Sequence, residues 1–88
     1  MKTRSDDLNS LGCVLRAFRH RKGLSQEELG WRANVHRTYV GGVERGERNP
    51  SVLTLQRLLV AVGVSWEEFG REFEAARDRP KGQSSNEE

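Results

Sequence analysis

Gly23-Leu24-Ser25-Gln26-Glu27-Glu28-Leu29 and, a few residues on, Arg37-Thr38-Tyr39-Val40-Gly41-Gly42-Val43-Glu44-Arg45 are the segments that decide the fold. Ser25 followed three residues later by Glu28 reads as a capping box, in which hydroxyl and carboxylate each satisfy a backbone N–H at a helix start. Leu24, just before the cap, is placed to staple onto Leu29. Leu29 and Ala33 share an inner face, and this helix of about two turns stops at Asn34, a residue that tolerates the left-handed conformation. His36 is the expected cap of a second helix running from Arg37 to Arg45, with Val40 and Val43 inward and Gly46 at its end. Two short helices joined by three or four residues, the second opening on polar and basic side chains, predict a helix-turn-helix. That geometry lays the first helix across a DNA backbone and points the first residues of the second into the major groove.

Working outward, Leu11, Leu15 and Phe18 recur at helical spacing and predict a preceding helix from about Leu11, capped by Asn9 or Ser10 and ended by Arg21-Lys22-Gly23. The ten residues before it are polar and are expected to form a flexible arm over 1–10. Downstream, Ser51 caps a helix with the stripe Val52, Leu55, Leu58, Leu59 and Val62, ended by Gly63. Ser65 caps a fifth helix carrying Trp66, Phe69 and Phe73. The expected organisation is one all-α domain over 11–79, with a polar tail over 80–88 expected to be disordered.

At 88 residues the chain has room for one small core. It is 34% hydrophobic and 32% charged, with a mean hydropathy of −0.80 and a net charge of +2. Eleven Lys and Arg stand against eight Asp and Glu through Gly70, and four against five thereafter, a weak pointer to an anionic partner. No apolar run approaches the roughly 20 residues of a membrane helix, and the first residues do not resemble an export signal. With one cysteine, Cys13, no internal disulfide can form, and a reducing cytoplasm is the expected compartment. Cys13, His20 and His36 do not make a metal site, and no cofactor is expected. Paired carboxylates, a nucleophile with its base and a phosphate loop are all missing, so an enzyme is not expected.

The runs Gly23–Leu29, Arg37–Val40 and Glu44-Arg45-Gly46-Glu47-Arg48-Asn49-Pro50-Ser51 together resemble the XRE family, which includes the lambda-type repressors and Cro. The similarity covers about Leu11 to Phe69 and implies a compact five-helix bundle. It implies base reading by Arg37 and Thr38, a phosphate or base-edge contact from Gln26, and approach of Arg48 to phosphates or the minor groove. It also implies that Arg19 and Glu44 pair to tie the first helix to the third. Bidentate recognition of guanine suits Arg37, since a cation at a helix N-terminus is otherwise unfavourable. Tyr39 either packs on the body or bonds a phosphate. Arg45 is singled out among the surface cations Arg16, Arg21, Lys22, Arg32 and Arg57 because it flanks the groove-facing helix.

Gly41 and Gly42 depart from the family's usual pattern. Each costs roughly 0.5–1 kcal/mol of helix stability relative to alanine, and both are expected on the outward face, where either the backbone at Gly42 approaches DNA closely or the helix is loose until bound. Gly42→Ala is accordingly expected to stabilise. Trp31 stands at a normally polar position: it either folds over helix one near Val14 or Cys13 or forms a sticky patch for a protein partner. One helix-turn-helix buries little surface, so a homodimer on a palindromic operator in double-stranded DNA is expected. Leu53, Val64, Trp66, Phe69 and Phe73 are the expected dimerisation residues, with closure of the small core as the alternative role of Trp66 and Phe69. The short domain also resembles the controller proteins of restriction-modification systems. The rival class is an antitoxin-type module that binds a toxin and autoregulates its operon.

Overall fold

Five helices make up the computed structural model, which describes residues 3–78: α1 (Arg4–Lys22), α2 (Gln26–Ala33), α3 (Arg37–Glu44), α4 (Val52–Val62) and α5 (Trp66–Arg77). The expected tail over 80–88 lies outside the described residues. Each boundary follows from local chemistry. Ser25 accepts from the Glu28 N–H at 3.0 Å, and the Ser25 N–H donates to the Glu28 carboxylate at 2.8 Å. That backbone bond holds the Glu28 carboxyl below its ordinary pKa. Asn34 closes α2 at φ 58°, and Gly23 and Gly63 close α1 and α4 at φ 76° and 74°.

The first helix starts at Arg4 rather than near Leu11, so residues Arg4 to Ser10 are helical and not a flexible arm. Thr3 and Asp6 form a second capping box, with the Asp6 N–H donating to Thr3 Oγ1 at 3.1 Å. The added turns are held to the body by Asp7, whose carboxylate accepts from Arg77 Nε on α5 at 2.8 Å. Arg77 also lies over the Phe73 ring at 5.8 Å.

The core gathers Val14, Leu15 and Phe18 of α1, Leu24, Leu29 and Ala33 around α2, Val40 and Val43 of α3, Leu55, Leu58, Leu59 and Val62 of α4, and Phe69 of α5. Two expectations about this core change. Val52, expected in the α4 stripe, is 70% exposed, because the first turn of α4 is left uncovered. Phe69, expected at a dimer interface, is buried and stacked on Phe73 with ring centroids 6.1 Å apart. Phe73 and Val64 are partly buried against the same core. Among the described residues no helix is long and apolar enough to cross a membrane.

Two glycines in helix interiors permit close approaches. A methyl group at Gly12 would overlap the Val43 carbonyl and lie 2.6 Å from that of Glu44, so α1 crosses α3 with backbone nearly touching backbone. A methyl at Gly30 would overlap the carbonyl of Val35, which sits where the turn after α2 folds back. The Val35 N–H closes that turn onto the Gly30 carbonyl at 2.8 Å. Gly70 of α5, by contrast, has open space around it. Gly12→Ala should lower stability by roughly 1–3 kcal/mol through overpacking, and Gly70→Ala should raise it by up to about 1 kcal/mol through helix propensity. Thermal denaturation of the two variants side by side checks both signs.

Candidate nucleic-acid interface

The orientation of α3 is set by a buried charge. Glu44, at its last turn, has a side chain only 3% exposed, and that of Arg19 on α1 is 9% exposed. Arg19 grips the carboxylate with two donors: Nε to Oε2 at 2.6 Å and Nη2 to Oε1 at 3.0 Å. Its remaining terminal nitrogen, Nη1, donates to the Leu24 carbonyl at 2.7 Å. Gln26, at the first position of α2, donates from Nε2 to Glu44 Oε1 at 3.0 Å. One carboxylate therefore joins α1, α2 and α3, and the Arg19 contact to Leu24 adds the loop before α2. The Arg19–Glu44 pair is the one expected from sequence. The participation of Gln26 is not legible there, since the two residues lie eighteen positions apart and share no motif. An amide nitrogen carries two protons, so this bond leaves Gln26 one further donor.

From this anchor α3 runs back to an exposed N-terminus. His36 caps it, accepting the Thr38 N–H on Nδ1 at 3.0 Å. Arg37 and Thr38 are exposed, and Val40 and Val43 are fully buried beneath them. The Arg37 guanidinium stands 3.7 Å from the Glu27 carboxylate, with both side chains more than half exposed. This pair partly relieves the unfavourable placement of a cation at a helix N-terminus, and at that exposure it adds little stability. Tyr39 is half-buried, with the Arg48 guanidinium 5.7 Å from its ring centroid. Arg45 is exposed and bonded to Glu47 at 3.1 Å. That contact raises the Arg45 pKa further and lowers that of Glu47.

The two glycines of α3 are not on an open outward face. Both are buried, because long side chains lie across them. A methyl at Gly42 would come within 2.6 Å of Arg48 Cγ, and one at Gly41 within 3.0 Å of an Arg45 guanidinium nitrogen and 3.3 Å of Gln26 Oε1. The Gly42 carbonyl also accepts from the N–H groups of Glu47 and Arg48, at 2.8 and 3.2 Å. Gly42 thus supports the loop that carries Arg48 and does not present bare backbone. The stability gain expected for Gly42→Ala is opposed by the Arg48 stem it would have to displace.

Trp31 does not fold over helix one. It is 76% exposed and borders a shallow groove of about 300 Å³ with Glu27, Val35, His36 and Arg37, beside the start of α3. Val14, the apolar neighbour expected to receive it, is itself buried in the core.

The comparisons with known proteins agree with this geometry. Residues 10–71 match the model of a helix-turn-helix domain. Over 55 residues the chain is 44% identical to an uncharacterised HTH-type transcriptional regulator, y4dJ, of Sinorhizobium fredii, covering 62% of this chain and 71% of that protein. The chain spans less than two thirds of other curated relatives, control proteins of Serratia marcescens and Bacillus amyloliquefaciens. Among solved structures it is similar to the restriction-modification controller protein C.AhdI of Aeromonas hydrophila, at TM-score 0.69 and 44% identity over 72% of this chain and 96% of that one. It is also similar to the controller protein C.Esp1396I, solved as a tetramer with its natural 35 base-pair operator, at TM-score 0.78 and 29% identity over 83% and 96% of the two chains.

Removing one partner of a buried ion pair leaves the other charge uncompensated. Glu44→Ala should therefore cost about 3–5 kcal/mol of folding stability. Replacing both members by apolar residues, as in Arg19→Met with Glu44→Leu, should recover most of that loss while loosening the orientation of α3. Urea denaturation of the single and double variants measures the difference.

Proposed function

The chain belongs to the helix-turn-helix domain family, and on that footing we propose that it is a sequence-specific DNA-binding transcriptional regulator of the restriction-modification controller kind. It acts in the cytoplasm as a homodimer on a palindromic operator and catalyses no reaction. The observation that carries this reading is the pairing of a rigidly anchored α3 base with an exposed tip. The buried Glu44 contacts hold one end, and Arg37 and Thr38 stand exposed at the other. In this reading Arg37 and Thr38 contact base edges. Gln26, Tyr39, Arg45 and Arg48 hold the phosphate backbone, and Gly42 contributes by seating Arg48.

The dimer reading is supported by apolar surface on the far helices. Leu53 and Val60, seven residues apart on one face of α4, are 73% and 71% exposed. Val52 on the same helix and Trp66 at the start of α5 add to the exposed apolar surface. With Phe69 withdrawn into the core, the interface is assigned to Leu53, Val60 and Trp66, with Val64 and Phe73 at its edge. The operator-bound tetramer of C.Esp1396I supports assembly of this kind in a similar chain.

Selection of bound duplexes from a random pool should return a palindrome with half-sites about one helical turn apart, roughly 34–36 Å. Arg37→Ala should then cost about 1–3 kcal/mol of binding and relax one position in each half-site. Uniform weakening across all sequences would instead make Arg37 a phosphate contact, and a pool with no consensus would end the reading. Sedimentation should show a dimer at micromolar concentration, and Val60→Asp should shift it to monomer without unfolding, since residue 60 lies outside the core.

A further inference from the structure

The cap of α3 has a consequence for its outer edge. The backbone N–H of Thr38 can only donate, so the His36 nitrogen facing it, Nδ1 at 3.0 Å, is an acceptor and carries no proton. In the neutral ring the single proton is then on Nε2. The cap bond fixes both the tautomer and the direction of the ring. Among the described residues no hydrogen bond reaches Nε2. His36 is exposed and borders the same groove as Arg37. Serine, asparagine or aspartate caps a helix at least as well, so capping alone leaves this oriented donor without a use.

We propose that His36 is a further DNA-contacting residue, whose cap-locked Nε2–H donates to a hydrogen-bond acceptor of the duplex engaged by Arg37 and Thr38. The inference rests on the DNA-binding reading above. A donor held in place before binding loses little further freedom when it bonds, so more of the bond's strength appears as affinity. Because the donor is neutral, its contact releases no counterion, unlike a lysine or arginine on a phosphate. The acceptor is a phosphate oxygen or a base-edge atom, and sequence dependence tells the two apart.

The probe is the duplex that the wild-type chain selects from a random pool. His36→Ser keeps a capping oxygen and removes the donor, and His36→Gln returns an amide donor near the position of Nε2. His36→Ser should keep its melting temperature within about 2 °C of wild type and lose roughly three- to tenfold in affinity, with the slope of affinity against salt unchanged. His36→Gln, compared at equal folded fraction, should recover most of that loss. A loss confined to one base position in each half-site assigns the acceptor to a base edge, and a uniform loss assigns it to phosphate. The inference is overturned if His36→Ser binds within about twofold of wild type, or if His36→Gln binds no better than His36→Ser. Arg37→Ala on the same duplex separates the failures. If it too binds like wild type, the DNA-reading role of α3 falls; if it weakens binding while His36→Ser does not, only the role of His36 falls.

Discussion

A single buried carboxylate governs this fold. Glu44 can be ionised among packed side chains only if every lone pair facing the interior is met by a donor. The donors come from Arg19 on α1 and Gln26 on α2, and Arg19 is itself steadied by the Leu24 carbonyl. Such a pair adds little net stability over an apolar substitute, because desolvation offsets attraction. Its contribution is directional. Apolar contacts among Leu15, Leu29, Val40 and Val43 tolerate small rotations of α3, whereas a bidentate guanidinium–carboxylate contact does not. In the DNA-binding role proposed for α3, that restriction matters more than additional stability.

The glycines serve the same end by different means. Gly12 and Gly30 sit where backbone meets backbone: Gly12 lets α1 cross close to α3 beside Glu44, and Gly30 lets the turn after α2 fold back onto that helix. Gly41 and Gly42 sit on the other side of α3, where their missing side chains are replaced by Gln26, Arg45 and Arg48 lying over them. The centre of the reading helix is therefore not bare. It is roofed by the two cations Arg45 and Arg48 and by the Gln26 amide, so the polar groups over it come from the end of α3, the loop after it and α2.

Most of the architecture could be read from local signals. The Ser25–Glu28 box, the left-handed Asn34, the His36 cap and the glycines after α1 and α4 each act within four residues, and the structure has them where the spacing put them. The errors arose where the deciding partner was distant or the apolar pattern was silent. The turns Arg4 to Ser10 have little apolar face to reveal them. Their support is a Thr3–Asp6 box with aspartate in place of the usual glutamate, together with an Arg77 seventy residues away. Val52 shares the phase of the α4 stripe, but phase cannot say where neighbouring elements stop. Gly42 looked outward for the same reason: a helical wheel shows direction, not what another segment lays over it. For the candidate site, residue types and helix positions were legible, and the network joining Gln26 to Glu44 was not.

The interface divides into a fixed part and an adjustable part, and the energies involved explain why. The Glu44 contacts are buried and costly to disturb, so α3 does not swing to find its target. The Arg37–Glu27 pair is more than half exposed at 3.7 Å, and the Arg45–Glu47 pair is similarly exposed. Exposed pairs of this kind contribute about 0–1 kcal/mol, so releasing Arg37 from Glu27, or Arg45 from Glu47, meets little resistance. The acidic partners restrain the two arginines at opposite ends of α3 and offset part of their positive charge. In the proposed DNA-binding role, discrimination between sequences is then the difference between a good base contact and a weak internal pair, on a helix whose position is already settled.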